Sequence, residues 1–150
     1  MKRFFVLLLA CLMIVPFALA SDLSDFNAYA YVFGASEIED GTSSVIEGQD
    51  VEDFSSDGCR IVFMKKDGDL SSIVVVGQGD KFLAYCAAAI HQFDGSSENR
   101  TTNFGNLLSI YLLSLGGEVG ENHSGFTVSN EIMTMTRTDE GCQFVILSIK

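Results

Sequence analysis

The chain has 150 residues, with 20 Asp and Glu against nine Lys and Arg, and a formal net charge of −11. Such an acidic chain repels the phosphates of nucleic acids and of anionic lipid headgroups, so nucleic acid is excluded as a favoured partner. The length suits one domain with a hydrophobic core.

The N-terminus has the three parts of a secretory signal peptide. Two basic residues precede an apolar run over residues 4–19, and the run ends in Ala18-Leu19-Ala20. The run is shorter than the roughly 20 residues that a membrane-spanning helix needs. We therefore predict cleavage after Ala20. Residues 1–20 are then a signal peptide, and residues 21–150 form a secreted or extracytoplasmic chain without a transmembrane span.

A competing interpretation uses Cys11. Leu8-Leu9-Ala10-Cys11 resembles a bacterial lipobox, whose cysteine is lipidated and becomes the new N-terminus. The apolar run continues past Cys11, whereas polar residues usually follow a lipobox cysteine, so the soluble form is favoured. Because Lys2 and Arg3 leave with the signal peptide, the mature chain keeps seven basic and 20 acidic residues, a net charge of −13.

The first part of the mature chain is acidic. Residues 21–58 contain ten Asp and Glu and no Lys or Arg. Within it, residues 28–33 place Tyr29, Tyr31 and Phe33 on one side at a period of two, which predicts a strand. Residues 36–57 predict a long, mobile acidic loop with at most a weak strand around residues 44–46.

A β-hairpin follows. Residues 60–65 and 70–76 are both rich in β-branched and apolar side chains, and Asp67-Gly68 between them is a typical hairpin turn. Four adjacent apolar residues, Ile73 to Val76, predict a central strand.

Two helices come next. Asp80 can cap a helix that ends near Asp94, with a buried stripe that includes Cys86. A second helix starts at Thr101 or Thr102 and ends at Gly116-Gly117. It has no charged residue and is apolar nearly all round, so it is either a buried core helix, the favoured interpretation, or uses its spare face against a partner. Its predicted buried stripe leaves out Ile110 and Leu113 and consists of Phe104, Leu107, Leu108, Tyr111, Leu112 and Leu115.

The chain ends in strands predicted over residues 126–128, 132–138 and 143–149. Strands, two helices and further strands predict a single α+β domain, in which an antiparallel sheet carries a helix pair on one face in the order β-β-β-α-α-β-β-β. Strict alternation of strand and helix is absent, which argues against a doubly wound nucleotide fold.

No motif predicts a catalytic residue, a bound cofactor or a metal. Gly77-Gln78-Gly79 lies between a strand and a helix but lacks the rest of a phosphate-binding pattern. On a helix, Cys86 and His91 diverge by roughly 140°. A pair formed by Cys86 and His123 has no sequence support. The chain has no Gly-x-Ser-x-Gly elbow, and the acidic residues lack the spacing of a calcium loop.

Three cysteines remain in the mature chain. Cys59 and Cys142 each follow a glycine at the entrance to a predicted strand, whereas Cys86 lies on the buried stripe of a helix. If a disulfide forms in the oxidising compartment, we expect Cys59–Cys142, with Cys86 a buried thiol. The alternative is three reduced cysteines that serve as small apolar residues.

These patterns favour a non-catalytic exported module that binds a protein or a cell-surface component. The acidic segment and the broadly apolar helix are its positive signs. The alternatives are a secreted, hydrolase-like enzyme with a site assembled from scattered residues, and a structural role in the envelope. The sequence does not define the oligomeric state.

Overall fold

A computed structural model of the chain describes residues 23–149. The predicted signal peptide, its cleavage site after Ala20 and the lipobox cysteine Cys11 lie outside these residues. The described part contains three helices and one seven-stranded antiparallel sheet, so the predicted α+β class is confirmed.

Helix α1 covers residues 23–32. The other elements follow in the order β1 (Gly41–Ile46), β2 (Gln49–Ser56), β3 (Cys59–Lys66), β4 (Asp69–Gly77), α2 (Gly79–Phe93), α3 (Arg100–Gly116), β5 (Asn122–Phe126), β6 (Ile132–Thr138) and β7 (Gly141–Leu147). The predicted order is therefore corrected, because a helix comes first and four strands precede the helix pair.

The strand predicted over residues 28–33 is wrong, because this stretch belongs to α1 and the turn after it. The buried side chains of α1 include Phe26, Asn27 and Ala30. Their spacing of three and four residues is that of a helix packed on one side. Tyr31, which suggested a strand face, is exposed.

The acidic loop predicted over residues 36–57 is largely a β-hairpin, made of β1 and β2. Three turns, Glu47-Gly48, Asp57-Gly58 and Asp67-Gly68, connect the first four strands at ten-residue intervals. Both residues of each turn have a positive φ, between 51° and 88°. Two such residues define the tight turn that matches the twist of a hairpin. The carboxylates at positions 47 and 57 therefore occupy turns of a regular meander.

The sheet has the strand order β1-β2-β3-β4-β7-β6-β5, and all its pairs are antiparallel. Helices α2 and α3 pack on its inner face, α2 over β3, β4 and β7, and α3 over β5, β6 and β7. Under them, buried apolar side chains form two rows across four strands, Ile61-Val75-Phe144-Met135 and Phe63-Ile73-Ile146-Met133.

Helix α2 is enclosed on several sides. Every residue from Ala84 to Ile90 is buried, which includes Cys86 as predicted. The sheet lies on one side and α3 on another, while Phe26 of α1 stacks on Tyr85 with ring centroids 6.1 Å apart. Alanine side chains allow this close approach. The helix begins at Gly79 after Gln78, without a side-chain cap, so the predicted capping role of Asp80 is wrong.

Candidate functional site

A small cavity lies where α1, α2 and α3 meet. Tyr29, His91, Arg100 and Phe104 contribute to its walls. Its volume of about 20 Å³ is enough for about one water molecule. A substrate-sized ligand does not fit into this space as the helices are placed.

His91 lies in the wall of this cavity, where its ring packs against a neighbouring aromatic side chain. Its ring stacks on Tyr29 with centroids 3.4 Å apart and planes 12° from parallel. The guanidinium of Arg100 lies 5.2 Å from the centre of the same tyrosine ring. Burial lowers the pKa of His91, and the charge of Arg100 lowers it further, against the opposite effect of Asp25 and Asp94. The neutral imidazole is thus favoured as a packing group.

Asp94 ends α2 and connects three parts of the fold. Its carboxylate accepts hydrogen bonds from Asn103 Nδ2 at 2.8 Å, from Asn99 Nδ2 at 3.1 Å and from the backbone N–H of Ser129 at 3.3 Å. Burial acts to raise the pKa of Asp94, but these hydrogen bonds, together with one from the Ser96 backbone, bring it below its ordinary value. Asp94 therefore holds the start of α3 and the β5–β6 loop in place.

Asp57 forms a second polar junction at the β2–β3 turn. It accepts hydrogen bonds from the backbone N–H and the hydroxyl of Ser36, at 2.6 and 2.8 Å, and lies 3.0 Å from the hydroxyl of Tyr85. The Ser36 hydrogen bonds lower the pKa of Asp57. Lys81 donates a hydrogen bond to the carbonyl of Gly34 nearby. These contacts fasten the segment after α1 to the sheet and to α2.

The histidine and cysteine pairs tested in the sequence do not form a catalytic arrangement among residues 23–149. Cys86 is completely buried, and burial raises its pKa well above the ordinary value, which disfavours the thiolate. His91 is held by Tyr29 instead. His123 Nε2 lies 3.5 Å from a carboxylate oxygen of Glu121.

Gly77 and Gly79 serve packing at the junction of β4 and α2. The backbone N–H of Gly79 donates to the hydroxyl of Tyr111 at 3.3 Å. A Cβ atom on Gly77 would lie 2.6 Å from Cys59 Sγ. The first of these contacts occupies a backbone N–H that a phosphate would need.

The three cysteines are buried and free. Gly77 of β4 pairs with Cys142 of β7 and touches Cys59 of β3 on its other side. Cys59 and Cys142 are thus separated by a whole strand, or about 9.6 Å between backbones, whereas a disulfide needs Cα atoms within about 7 Å. The structure does not contain the expected Cys59–Cys142 bridge, because the two strands are not neighbours.

Helix α3 leaves apolar side chains at the surface. Its buried residues are Asn103, Leu107, Ile110, Tyr111 and Ser114. The predicted stripe is therefore wrong for Ile110, which is buried. It is also wrong for Leu112 and Leu115, which are 66% and 42% exposed; Leu113, correctly left outside the stripe, is 57% exposed. We call Leu112, Leu113 and Leu115 the leucine surface.

Strand β1 is the second exposed feature, and only residues 44–46 of it were predicted as a weak strand. All six of its residues are exposed, so no apolar alternation marked them as a strand. The signal that could have revealed β1 is Glu47-Gly48, which repeats the acidic-Gly turn found at positions 57 and 67.

Comparisons with protein-family models, with curated proteins and with solved structures found no match to this chain. Residues 23–149 contain no group of three His, Cys, Asp or Glu side chains placed to hold a metal ion. None of the helices in this range is long and apolar enough to cross a membrane.

Proposed function

We propose that this chain is a non-catalytic interaction module that is exported and binds the apolar face of a partner protein through the leucine surface of α3. The observation that carries the proposal is the exposure of three leucines on one helix, 66%, 57% and 42% for Leu112, Leu113 and Leu115. Around the helix Leu112 lies between Leu115, about 60° away, and Leu113, about 100° away. Exposed apolar side chains that cluster are typical of interaction sites.

The chemistry around the leucine surface supports a protein partner. No charged residue occurs from Thr101 to Gly117, whereas the mature chain as a whole carries a net charge of −13. A partner can therefore dehydrate this face without removing water from a charge. Burial of a fully exposed leucine contributes about 1.5–3 kcal/mol. These three leucines are 42–66% exposed, so each contributes roughly half of that range to a complex.

The described polar clusters support a binding role over catalysis. Asp94 and Asp57 are engaged in hydrogen bonds within the fold. His91 is stacked on Tyr29 beside a cavity for about one water molecule. Cys86 is buried and its thiolate is disfavoured. Each potential acid, base or nucleophile in this group already has a structural task.

Site-specific photocrosslinking in the native host tests the proposal. A photoreactive phenylalanine analogue replaces Leu112 in one full-length chain and Lys66, exposed at the end of β3, in a control chain. We expect one discrete crosslinked protein from position 112 and none from position 66. The captured protein, once identified and purified, should bind the purified chain directly.

A matched pair of variants then checks the surface. Leu112→Ser with Leu115→Ser should weaken that direct binding by about tenfold or more and leave the melting temperature nearly unchanged, since both side chains are exposed. A control, Tyr31→Ser with Val32→Ser, removes exposed apolar side chains from α1 and should bind normally. Equal binding by both double variants, or no crosslink at position 112, would refute the proposal.

A further inference from the structure

Strand β1 forms one edge of the sheet. It pairs with β2 through six consecutive residue pairs, from Gly41 with Phe54 to Ile46 with Gln49, and it stands first in the strand order. Because a strand has hydrogen-bonding groups on two sides, the side of β1 away from β2 presents backbone N–H and C=O groups outward. All six residues of β1 are exposed.

The usual protections of an edge strand are missing from β1. Such strands are commonly very short, interrupted by a bulge, or supplied with proline or lysine. The six residues of β1, Gly-Thr-Ser-Ser-Val-Ile, include no proline and no charge, and their register with β2 is regular. Val45 and Ile46 are 70% and 57% exposed and offer apolar contacts beside the backbone groups. An extended segment can therefore add to this edge.

The charges around β1 define what kind of segment fits. Glu39 and Asp40 precede the strand directly, Glu47 follows it, and all three are exposed. The first basic residue after β1 in the chain is Arg60, on β3, and its guanidinium is held by Asp53 through hydrogen bonds of 3.0 Å. Both ends of the edge are thus acidic, and they attract a segment that carries Lys or Arg.

The same charges disfavour pairing between two copies of this chain. In an antiparallel pair of β1 strands, the start of one strand lies beside the end of the other. Asp40 of each copy would then approach Glu47 of the other copy, and like charges across a strand pair are destabilising. A basic segment replaces this repulsion with attraction at both ends.

We propose that the outer edge of β1 binds an extended, basic segment of a partner protein by strand addition. Backbone hydrogen bonds between β1 and the segment supply affinity. Lys or Arg at the ends of the segment, opposite Glu39, Asp40 and Glu47, supply selectivity. This edge is separate from the leucine surface, and either proposal can fail without the other.

The probe is the end-blocked peptide Lys-Thr-Val-Thr-Val-Thr-Lys, with Glu in place of both Lys as the charge control. Binding to the purified, host-processed chain is measured by calorimetry at low and at physiological salt. We expect the basic peptide to bind, with an affinity that falls as salt increases, and the acidic peptide to bind at least about tenfold more weakly.

Two N-methylated forms of the basic peptide test the hydrogen bonds. One carries methyl groups on alternate backbone nitrogens, and the other carries them on the remaining nitrogens. Because an added strand directs alternate N–H groups toward its neighbour, one form should bind like the parent and the other should lose binding. Equal effects of the two forms would overturn strand addition.

Two triple variants, each of which removes three negative charges, test whether the peptide binds at β1. Glu39→Gln, Asp40→Asn and Glu47→Gln remove the acids at the β1 ends. Asp69→Asn, Asp139→Asn and Glu140→Gln remove three exposed acids elsewhere. The first set should weaken the basic peptide about tenfold, and the second by less than about twofold. Equal weakening by both sets would overturn the proposal. So would a sedimentation result showing a dimer that Ser44→Pro dissociates, because a second copy would then be the occupant.

Discussion

The hydroxyl of Tyr85 lies 3.0 Å from the carboxylate of Asp57. The same hydroxyl is 2.9 Å from the carbonyl of Ser36, so two acceptors share its one proton. Burial, and to a lesser degree the nearby charge of Asp57, raises the pKa of Tyr85 to about 12. This contact connects α2 to the β2–β3 turn and to the segment after α1.

Tyr85→Phe should lower the free energy of unfolding by about 1 kcal/mol, because the acceptors Ser36 and Asp57 lose the hydrogen bond that the hydroxyl donates. The raised pKa means that the native state holds the phenolic proton more tightly than the unfolded state. This contribution is present below pH 10 and lost as the pH rises from 10 to about 12. Denaturant unfolding should show that the free energy of unfolding falls less between pH 10 and about 12 in the variant than in the wild type. The control Tyr31→Phe, at an exposed position, should match the wild type.

His91→Phe should flatten the pH dependence of stability as the pH falls through 6.5. Burial keeps the folded-state pKa of His91 below its ordinary value of 6.5. The unfolded chain therefore takes up the proton first, and stability is lost as the pH falls through 6.5. Phenylalanine keeps the stack on Tyr29 without titrating. Thermal unfolding on both sides of pH 6.5 measures the effect, and an unchanged slope in the variant would contradict it.

Gly77→Ala should destabilise the protein by about 1–3 kcal/mol through crowding in the core. The new Cβ atom would lie 2.6 Å from Cys59 Sγ. Cys59→Ala removes that sulfur and should recover part of the loss in the double variant. A double-mutant cycle should give a coupling free energy of at least about 0.5 kcal/mol. If the free-energy changes of Gly77→Ala and Cys59→Ala simply add, the need for glycine at position 77 does not come from contact with Cys59.

Asp94→Ala should lower the free energy of unfolding by about 3 kcal/mol, because the side chains of Asn99 and Asn103 lose their charged acceptor. The control Asp80→Ala removes an exposed carboxylate from the first turn of the same helix and should cost less than about 1 kcal/mol. Hydrogen exchange of the Ser129 amide should accelerate in Asp94→Ala alone. If both variants lose the same free energy of unfolding, Asp94 does not have the structural role that its hydrogen bonds indicate.

The sequence predicted those parts of the fold in which the apolar pattern and the turn chemistry agree. The β3–β4 hairpin around Asp67-Gly68 and both central helices are confirmed within a few residues of their predicted ends. Strand β1 was predicted at most as a weak strand over residues 44–46, because its side chains are all exposed. α1 was misread because tyrosines at alternate positions concealed the helical spacing of Phe26 and Ala30.

The sites were harder to predict than the fold because they depend on strand order and helix rotation. The expected Cys59–Cys142 pair required neighbouring strands, and local sequence carries no information on which strands pair across the helices. The leucine surface depends on the direction in which α3 faces the sheet. On a helix whose only charged residue is its first one, Arg100, no polar face fixes that rotation in advance.

Within residues 23–149, five of the six strand pairings join strands that follow each other in the chain. The sixth pairs β4 with β7, from Ser72 with Leu147 to Gly77 with Cys142. The meander β1–β4 and the meander β5–β7 can each form quickly from local contacts, but closing the seam between them requires a long loop to be ordered. We therefore expect the closing of this seam, at which Val74 pairs with Val145, to be the slow step of folding.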